Sequence, residues 1–561
     1  MRLSRIFRAG AEGSGLLVFA LACVLSSTGQ NVKAPIRFEF RPVPFRLETG
    51  ETPVRHVPAT MAGGVAVFDY NRDGRLDIFF ANGANIATLR KDSPRFSNRL
   101  FRNDGGGRFT DVTRQAGLAG AGYDIGVAVG DYDNDGYPDL FVAGVHRNTL
   151  YHNNGDGTFT DVTAKAGFNR PDPQYGPLWA VAAAWVDVNN DGLLDLFVMN
   201  YLQWDYTTEK VCEFQGKSDY CHPRYYKGLP NQLFLNNGDG TFTDISARSG
   251  IRAHVGKGMG VAVADYDRDG RPDLFVSNDG EYNFLFHNLG EGRFEEVAFP
   301  AGVALAEDGN FISGMGVEFR DFDNDGFPDI AFVALNSETF PLFRNTGKGG
   351  FREVTFESGM RTASRRMGGF GPGLFDFDND GWKDLFVSRG HVESLRLLPD
   401  QEIEQHNTVF RNSGAAGKWV PLTEEAGLAA HPPARHRGCA FGDLDGDGRI
   451  DAVATAIGAD AEIWMNRSPD TAHWLEIALE GTRSNRDGIG AEIKVVTRTG
   501  PQFNHATTST GYASSSAGPV HFGLGADTEA ESVEIRWPSG TLQRLEHVAA
   551  DRVLRVTEAS R

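Results

Sequence analysis

Seven short acidic segments hold the residues of this sequence best suited to binding an ion. Each follows the nine-residue pattern Asp-x-Asp/Asn-x-Asp-Gly-x-x-Asp. The copies begin at Asp69, Asp131, Asp187, Asp265, Asp321, Asp376 and Asp443. Oxygen-bearing side chains on alternate residues, with a glycine that permits a tight turn, suit Ca²⁺. The pattern therefore predicts up to seven calcium sites, most of them structural.

Each predicted calcium shell uses the first, third, fifth and ninth side chains of a loop and the backbone carbonyl of its seventh residue. Loop by loop, the predicted ligands are Asp69, Asn71, Asp73, Arg75, Asp77; Asp131, Asp133, Asp135, Tyr137, Asp139; Asp187, Asn189, Asp191, Leu193, Asp195; Asp265, Asp267, Asp269, Arg271, Asp273; Asp321, Asp323, Asp325, Phe327, Asp329; Asp376, Asp378, Asp380, Trp382, Asp384; and Asp443, Asp445, Asp447, Arg449, Asp451. Because an unfolded chain has no preformed site, binding is expected to stabilise the fold.

Two other calcium-binding loops do not fit the pattern. An EF-hand requires an acid at its twelfth position. In all seven copies that position is apolar: Phe80, Val142, Val198, Val276, Phe332, Val387 and Ala454. Calcium-binding β-rolls repeat about every nine residues, whereas these copies are separated by whole structural units.

The charge of the chain agrees with a metal-binding role. The formal net charge is −19, from 55 basic and 74 acidic side chains. Seven divalent ions would offset most of this excess. The chain has no basic surplus to displace counterions from phosphate, so nucleic acid is excluded as a general partner.

The acidic loops must be held by short strands, and the surrounding sequence supplies them. In the second copy a Gly-rich apolar run, 126–130, precedes the loop, and the apolar run 140–143 follows it. Two further segments, 150–153 and 158–163, are separated by an Asn-Gly-Asp-Gly turn. Four strands repeated seven times predict an all-β protein, a seven-bladed β-propeller spanning residues 35–470.

The seventh repeat lacks its fourth strand. The segment Ile36–Phe40, ahead of the first repeat, is expected to supply that strand and close the ring. Residues 471–561 alternate apolar and polar side chains in short runs, which predicts a small C-terminal β domain docked on the last blade.

The N-terminus has the features of an export signal. Arg2, Arg5 and Arg8 precede an apolar run over 16–25, which is followed by small residues. We expect a signal peptide over residues 1–29 and a secreted, periplasmic or extracellular location, with no transmembrane segment. Lipid attachment at Cys23 is the alternative.

Three cysteines lie beyond that segment. Cys212 and Cys221 lie in one loop and are expected to form a disulfide in an oxidising compartment. Cys439 lies in an apolar strand and is expected to be a buried thiol.

The loops and the Leu-Phe-x-Asn and Phe-x-Asp-Val-Thr segments that follow them resemble the FG-GAP/VCBS repeats of integrin α-subunit propellers. Near the C-terminus, Ser484–Ala491, His521–Gly525 and Arg536–Gly540 resemble the ASPIC/UnbV domain. The combination is similar to the cartilage acidic protein family, including its bacterial members. This resemblance implies a secreted calcium-binding protein of the adhesion type and implies little about chemistry.

The face opposite the acidic loops is a candidate ligand surface. Its longest insertion, 200–230, is rich in aromatic residues and is either a recognition element or a self-packed Ω-loop. Basic residues near the channel are either a cationic funnel for an acidic glycan or carboxylated ligand, or scattered solvated charges. The candidate ligand contacts are Trp204, Tyr206, Lys257, Arg365, Arg366, Arg435 and His436.

Binding is favoured over catalysis. The sequence contains no Gly-x-Ser-x-Gly elbow, no His-Glu-x-x-His motif and no P-loop. The loop aspartates are assigned to metal, which leaves no isolated carboxylate pair for acid–base work. We expect a binding module for an extracellular glycan or protein and no enzyme. The alternative is a carbohydrate-active lyase or hydrolase on a propeller scaffold.

Overall fold

The computed structural model describes residues 35–392, 394–395, 397 and 401–560. The predicted signal peptide and the alternative of lipid attachment at Cys23 lie outside the described residues. Among the described residues, no helix is both long and apolar enough to cross a membrane.

Seven blades of four antiparallel strands make up the larger part of the described chain, and a hairpin from the C-terminal part extends the sheet of the first blade to six strands. The seventh sheet begins with β1 (Phe38–Arg46); the first sheet has β2 (Val65–Phe68), β3 (Asp77–Phe80), β4 (Arg99–Gly105) and β5 (Arg108–Asp111), and the second has β6 (Tyr123–Gly130), β7 (Asp139–Val145), β8 (Thr149–Asn153) and β9 (Phe159–Asp161). The third sheet has β10 (Ala180–Val186) and β11 (Asp195–Asn200), then an insertion with β12 (Cys212–Phe214), β13 (Lys217–Asp219) and β14 (Leu229–Pro230), then β15 (Gln232–Asn236) and β16 (Phe242–Asp244); β17 (Val255–Gly256) pairs with β14. The fourth sheet has β18 (Gly258–Ala264), β19 (Asp273–Asn278), β20 (Phe284–Gly290) and β21 (Arg293–Glu296); the fifth has β22 (Val317–Arg320), β23 (Asp329–Phe332), β24 (Leu342–Asn345) and β25 (Phe351–Glu353); the sixth has β26 (Gly369–Phe375), β27 (Asp384–Arg389), β28 (Thr408–Asn412) and β29 (Trp419–Leu422); and the seventh ends with β30 (His436–Gly442), β31 (Asp451–Ala456) and β32 (Asp460–Asn466).

Within residues 35–560, apart from the few that the structure does not describe, helix is confined to single turns between these strands. The α-helical turns are α1 (Thr113–Ala116), α2 (Thr163–Ala166), α3 (Ala298–Ala301) and α4 (Met360–Ser364). The 3₁₀ turns are Val57–Thr60, Pro94–Phe96, Pro223–Tyr225, Ile251–Ala253, Gly414–Ala416 and Leu428–Ala430.

The seven sheets form a closed ring of blades. The first strand of each sheet packs against the first strand of the next, and β30 of the seventh packs against β2 of the first. Strand β1 completes the seventh sheet by pairing with β32, from Phe38 opposite Asn466 to Val43 opposite Ala461. The predicted propeller and its closure by an N-terminal strand are therefore confirmed.

Burial between blades explains the apolar strands. Every residue of β6 and β7 is buried, as expected for strands covered on both faces by neighbouring blades. Gly126 in β6 lies so close to the next blade that a Cβ there would sit 2.1 Å from the carbonyl oxygen of Val181. Glycine at this position therefore permits the close approach of two blades.

The C-terminal part forms two further sheets around its own core. Its strands are β33 (His473–Glu480), β34 (Glu492–Thr497), β35 (Gly500–His505), β36 (Ser509–Thr510), β37 (Ser514–Ala517), β38 (Val520–Gly525), β39 (Glu529–Arg536), β40 (Leu542–Ala549) and β41 (Arg552–Thr557). One sheet has the order β38-β33-β41 and the other has the order β35-β34-β39-β40. Leu475, Ile493, Phe522 and Trp537 are among the side chains of the core between them.

The hairpin β36–β37 leaves these sheets and fills the centre of the ring. Strand β37 pairs in parallel with β2 of the first blade. Ser509 donates a hydrogen bond to Val261 of the fourth blade (2.6 Å), and the hydroxyl of Ser516 accepts one from the backbone of Phe441 in the seventh (2.9 Å). Short hydroxyl side chains thus pair with backbone groups of the innermost strands, which would otherwise be buried without partners.

This arrangement corrects the expectation that the C-terminal domain docks on the last blade. Gly511 accepts a hydrogen bond from Val317 in the fifth blade, and Tyr512 makes an edge-to-face contact with Phe370 in the sixth. The hairpin therefore contacts blades around the ring.

Candidate metal centres and the two faces of the propeller

Each acidic loop joins the first and second strands of its blade and curls around its first aspartate. In the second blade the backbone N–H groups of Asp135 and Gly136 donate to the two carboxylate oxygens of Asp131, at 3.1 and 2.7 Å. Gly136 has a φ of 95°, which side-chain-bearing residues rarely adopt. The same bond from the sixth-residue glycine to the first aspartate recurs at Gly74, Gly192, Gly270, Gly326, Gly381 and Gly448.

The ninth aspartate anchors the loop to the sheet. Asp139 is fully buried, and its oxygens accept hydrogen bonds from the backbone N–H groups of Tyr132 (3.2 Å) and Asn153 (2.8 Å). The ninth aspartates of the other loops accept the equivalent bonds, which explains why the ninth position is an acid in every copy.

The loops bring carboxylates together as the sequence predicts. Ligand atoms of Asp131, Asp133 and Asp139 lie within 4.8 Å of one another, and the corresponding aspartates of the fourth loop are equally close. In the sixth loop the side chain of Asp378 is only 6% exposed, and its Oδ1 has no hydrogen-bond partner among the described residues. A buried acceptor without a donor fits a cation, so the residues present suit a metal ion.

Burial makes these clusters electrostatically costly when ionised. Burial raises the pKa of Asp77 and of Asp131 to about 8, and the nearby carboxylate of Asp487 adds to the effect at Asp131. Burial also raises the pKa of Asp139 and of Asp265 to about 7. A divalent cation would stabilise the ionised carboxylates and offset this cost.

Basic side chains lie beside several of the loops. The guanidinium of Arg411 is 2.8 Å from Asp378, and that of Arg467 is 2.9 Å from Asp445. At three loops the seventh residue, whose backbone carbonyl is a predicted ligand, is an arginine. Its guanidinium contacts the aspartate at the fifth position of the same loop; these residues are Arg75, Arg271 and Arg449. The loops therefore share an acidic frame but differ in their surroundings.

An asparagine near the end of each third strand links neighbouring loops, and the sequence interpretation assigned it no role. Its side-chain nitrogen donates to the backbone carbonyl of the second loop residue in the preceding blade. The pairs are Asn103–Leu444, Asn153–Tyr70, Asn236–Tyr132, Asn288–Val188, Asn345–Tyr266, Asn412–Phe322 and Asn466–Phe377, at 2.8–3.0 Å. The asparagine recurs after each acidic loop in the sequence, and this recurrence is the signal from which a shared structural role could have been predicted.

The C-terminal domain covers part of the acidic-loop face. Asp487 accepts a hydrogen bond from the backbone N–H of Asp131 (2.8 Å), and Gly525 donates one to Asn379 of the sixth loop (2.8 Å). A cavity of about 440 Å³ lies between this domain and the third, fourth and fifth loops. Arg268, Phe503 and Arg536 are among the residues that line it. The sequence interpretation placed ligand binding only on the opposite face and missed this cavity.

On the opposite face, a disulfide between Cys212 and Cys221 cross-links two positions within the 200–230 insertion. It packs against the segment that leads into the first blade. Glu209 lies 2.5 Å from the imidazole of His56, and Tyr220 donates to Glu51 at 2.6 Å. The insertion is therefore more than a self-packed loop, because it bridges the third blade to the start of the first.

The residues expected to meet a ligand on this face divide into two groups. Trp204, Lys257 and His436 are buried; Lys257 is paired with Glu281 (2.8 Å) and His436 with Glu462 (3.0 Å). For these three the expectation of a ligand contact on this face is corrected, because burial, the ion pair of Lys257 and the hydrogen bond of His436 already occupy them.

The second group remains accessible. Tyr206 is 42% exposed, and Arg365 and Arg366 are exposed. Arg435 is half-buried and lies 3.5 Å from Glu51. Cys439 is buried, as expected.

These features define a class of protein: a β-propeller whose blades carry acidic loops able to hold metal ions between their first and second strands. The chain belongs to the FG-GAP-like repeat family, whose model matches residues 69–142, 131–198, 224–276, 265–332 and 321–387. The ASPIC and UnbV family model matches residues 481–561.

The chain is also similar to named proteins. It is 26% identical to Cartilage acidic protein 1 of Homo sapiens over 507 residues, covering 86% of this chain and 70% of the human protein. It is 28% identical to Integrin alpha-4 of Xenopus laevis over 159 residues, covering 25% of this chain and 15% of that protein. An Agrocybe aegerita lectin that recognises non-reducing terminal N-acetylglucosamine aligns with a TM-score of 0.39 at 18% identity, covering 64% of this chain and 79% of the lectin chain.

Proposed function

We propose that the chain is an exported, calcium-loaded propeller, residues 35–470, with a C-terminal β domain, residues 471–561. It acts as an extracellular adhesion or ligand-binding module for a glycan or a protein. The observation that carries the proposal is the sevenfold acidic loop, with a buried ninth aspartate in each copy. An oxygen-rich donor set of this kind suits Ca²⁺, and burial of the acids means that the ion stabilises the fold.

The calcium is structural in this proposal. Each ion holds the link between the first and second strands of a blade, and the inter-blade asparagines connect the loops around the ring. Titrating calcium into metal-free protein tests this directly. Binding of several ions per chain, accompanied by a rise in melting temperature, is the expected result. Failure to bind calcium would remove the proposal.

Two surfaces are available for the ligand. The cavity beneath the C-terminal domain is large enough for a small saccharide or a peptide side chain, since ligand pockets commonly measure about 300–1,000 Å³. The opposite face presents the exposed Arg365 and Arg366. The calcium-loaded chain should be screened against glycan and extracellular-protein panels. The hits should then be measured with Arg365→Glu/Arg366→Glu and with Arg536→Glu.

These variants separate the two surfaces. Loss of affinity in the first variant alone places the ligand on the face opposite the acidic loops, and loss in the second alone places it in the cavity. Affinity unchanged in both would exclude both surfaces. Export is tested separately, by determining the N-terminus of the mature chain and the presence of lipid at Cys23.

A further inference from the structure

Two of the seven acidic loops differ from the others in having a histidine over the carboxylates. The residue before the third-strand asparagine is His152 in the second blade and His287 in the fourth. In the third blade the same position is Leu235, and in the fifth and sixth it is arginine. The acidic frame is therefore shared, whereas the donor next to it varies from blade to blade.

The histidine of the second blade reaches the metal-binding carboxylates. Its Nδ1 is 3.3 Å from Oδ2 of Asp133 and 3.3 Å from Oδ1 of Asp139. The nitrogen is buried, and no group of the described residues meets it at a good hydrogen-bond angle. Donor atoms of Asp133, Asp135 and His152 all lie within 4.8 Å of one another.

The fourth blade brings the same residue types together. Nδ1 of His287 shares a hydrogen bond with Oδ1 of Asp273 (3.2 Å) and lies 3.7 Å from Oδ2 of Asp267. Oδ1 of Asp267 is buried and finds no hydrogen-bond partner in the part of the chain that the structure describes. Asp267, Asp269 and His287 also lie within 4.8 Å of one another. The same donor set thus occurs twice, independently, in two blades.

The chemistry of this donor set differs from that of an all-oxygen loop. Ca²⁺ takes oxygen ligands, whereas Zn²⁺ and other first-row transition ions bind imidazole nitrogen together with carboxylate. We propose that the loops of the second and fourth blades bind a transition-metal dication of the zinc class, with His152 and His287 as nitrogen ligands. This inference rests on the proposed function, in which the acidic loops bind divalent ions.

The remaining loops lack this nitrogen donor. Leu235 offers no ligand atom, and the guanidinium groups of Arg344 and Arg411 lie against the carboxylates of their loops as cations. A guanidinium stays protonated and cannot coordinate a metal. Selectivity for a transition ion is therefore confined to two blades, which leaves calcium for the others.

The test is equilibrium dialysis of the whole chain against equal free concentrations of Ca²⁺ and Zn²⁺, followed by elemental analysis. The expected content is two zinc ions per chain. His152→Leu and His287→Leu, which introduce the side chain of the third blade, should each remove one zinc, and the double variant should remove both. Loss of the nitrogen ligand should weaken zinc binding at that loop by about tenfold or more.

A gain-of-function variant and a surface control complete the design. Leu235→His should add a third zinc ion, because it installs the missing donor over an existing acidic loop. His547→Leu, which alters a side chain that is 76% exposed in the C-terminal domain and lies away from the acidic loops, should leave the zinc content unchanged. Circular dichroism and the calcium content of the other loops establish that each variant is folded.

The possible results are distinct. Calcium without zinc in the unaltered chain overturns the zinc assignment and leaves the calcium proposal intact. Binding of neither ion overturns both. Zinc that persists in the His152→Leu/His287→Leu variant overturns the assignment of histidine as a ligand.

Discussion

The side-chain nitrogen of Asn153 lies 2.8 Å from the carbonyl oxygen of Tyr70, so the third strand of the second blade is bonded to the acidic loop of the first. The same amide donates to the carbonyl of Pro138 in its own loop, at 3.1 Å. One side chain thus joins two candidate metal loops. Because the contact recurs in all seven blades, the loops form a hydrogen-bonded ring that closes from the seventh blade to the first.

Removing this amide should destabilise the propeller. Asn153→Ala leaves the carbonyls of Tyr70 and Pro138 without their donor, and a buried unsatisfied group costs about 1–3 kcal/mol. The matched control is Asn154→Ala, because the neighbouring side chain is exposed and its hydrogen bonds, with Thr158 and Thr160, stay within the same hairpin. Denaturant unfolding of both variants in saturating calcium measures the difference. Equal stabilities would contradict a structural role for the inter-blade contact.

Calcium removal should lower the melting temperature. A site held at a hundredfold excess of ligand over Kd contributes about 2.7 kcal/mol, and several sites act together. Asp139→Asn should reduce the stabilisation, because it removes one charge from a buried ligand. Asp156→Asn, in an exposed turn of the same blade, is the control. Calorimetry with and without chelator provides the measurement, and identical melts would argue against structural calcium.

The hairpin in the centre of the ring should contribute to stability. The hydroxyl of Tyr512 donates to the carbonyl of Met61 at 2.6 Å, and the side chain is fully buried. Tyr512→Phe removes the donor and leaves the carbonyl buried, which should cost about 1–3 kcal/mol. Tyr225→Phe, at a side chain that is 50% exposed, should be close to neutral. Thermal unfolding of the two variants checks the prediction.

His505 should make stability sensitive to mild acid. Burial lowers its pKa to about 3, and the positive charges of Arg320 and Lys383 act in the same direction. An unfolded histidine has a pKa of about 6.5, so below that pH the unfolded chain takes up a proton that the folded chain excludes. Above pH 6.5 the histidine is neutral in both states, so it does not make the free energy of unfolding depend on pH. As the pH falls from 6.5 towards 3, stability is lost at about 1.4 kcal/mol per pH unit.

Comparing the chain with a His505→Gln variant isolates this contribution. Denaturant unfolding of both proteins at pH 7 and pH 5, in saturating calcium, should show a smaller loss of stability in the variant. A variant with the same pH dependence as the unaltered chain would assign the acid sensitivity to other groups. His547→Gln, at a solvent-exposed histidine, is the control.

Many features of the fold could be predicted from local sequence. The turn of each acidic loop depends on residues within nine positions, such as Asp131 and Gly136, and the four strands of a blade follow one another directly. The strand that closes the ring was predicted from a missing partner in the seventh repeat. The observed strand, Phe38–Arg46, begins later than the predicted segment Ile36–Phe40 and extends beyond its end.

The features that could not be predicted depend on contacts between distant residues. Lys257 and His436 are polar, but packing, an ion pair with Glu281 and a hydrogen bond with Glu462 hold them inside. The cavity beside Arg268 exists only because the C-terminal domain lies over the acidic loops. Neither burial nor domain placement has a local signature in the chain.

The sequence by itself determined the acidic loops, the number of blades and the strand that completes the ring, since these follow from short-range turn chemistry and repetition. Tertiary structure alone decided that the Ser509–Ala517 hairpin fills the channel, that Asn153 bonds to the blade before it, and that His152 lies against Asp133. Each of these depends on which backbone and side-chain groups meet once the blades close into a ring, and residues hundreds of positions apart take part.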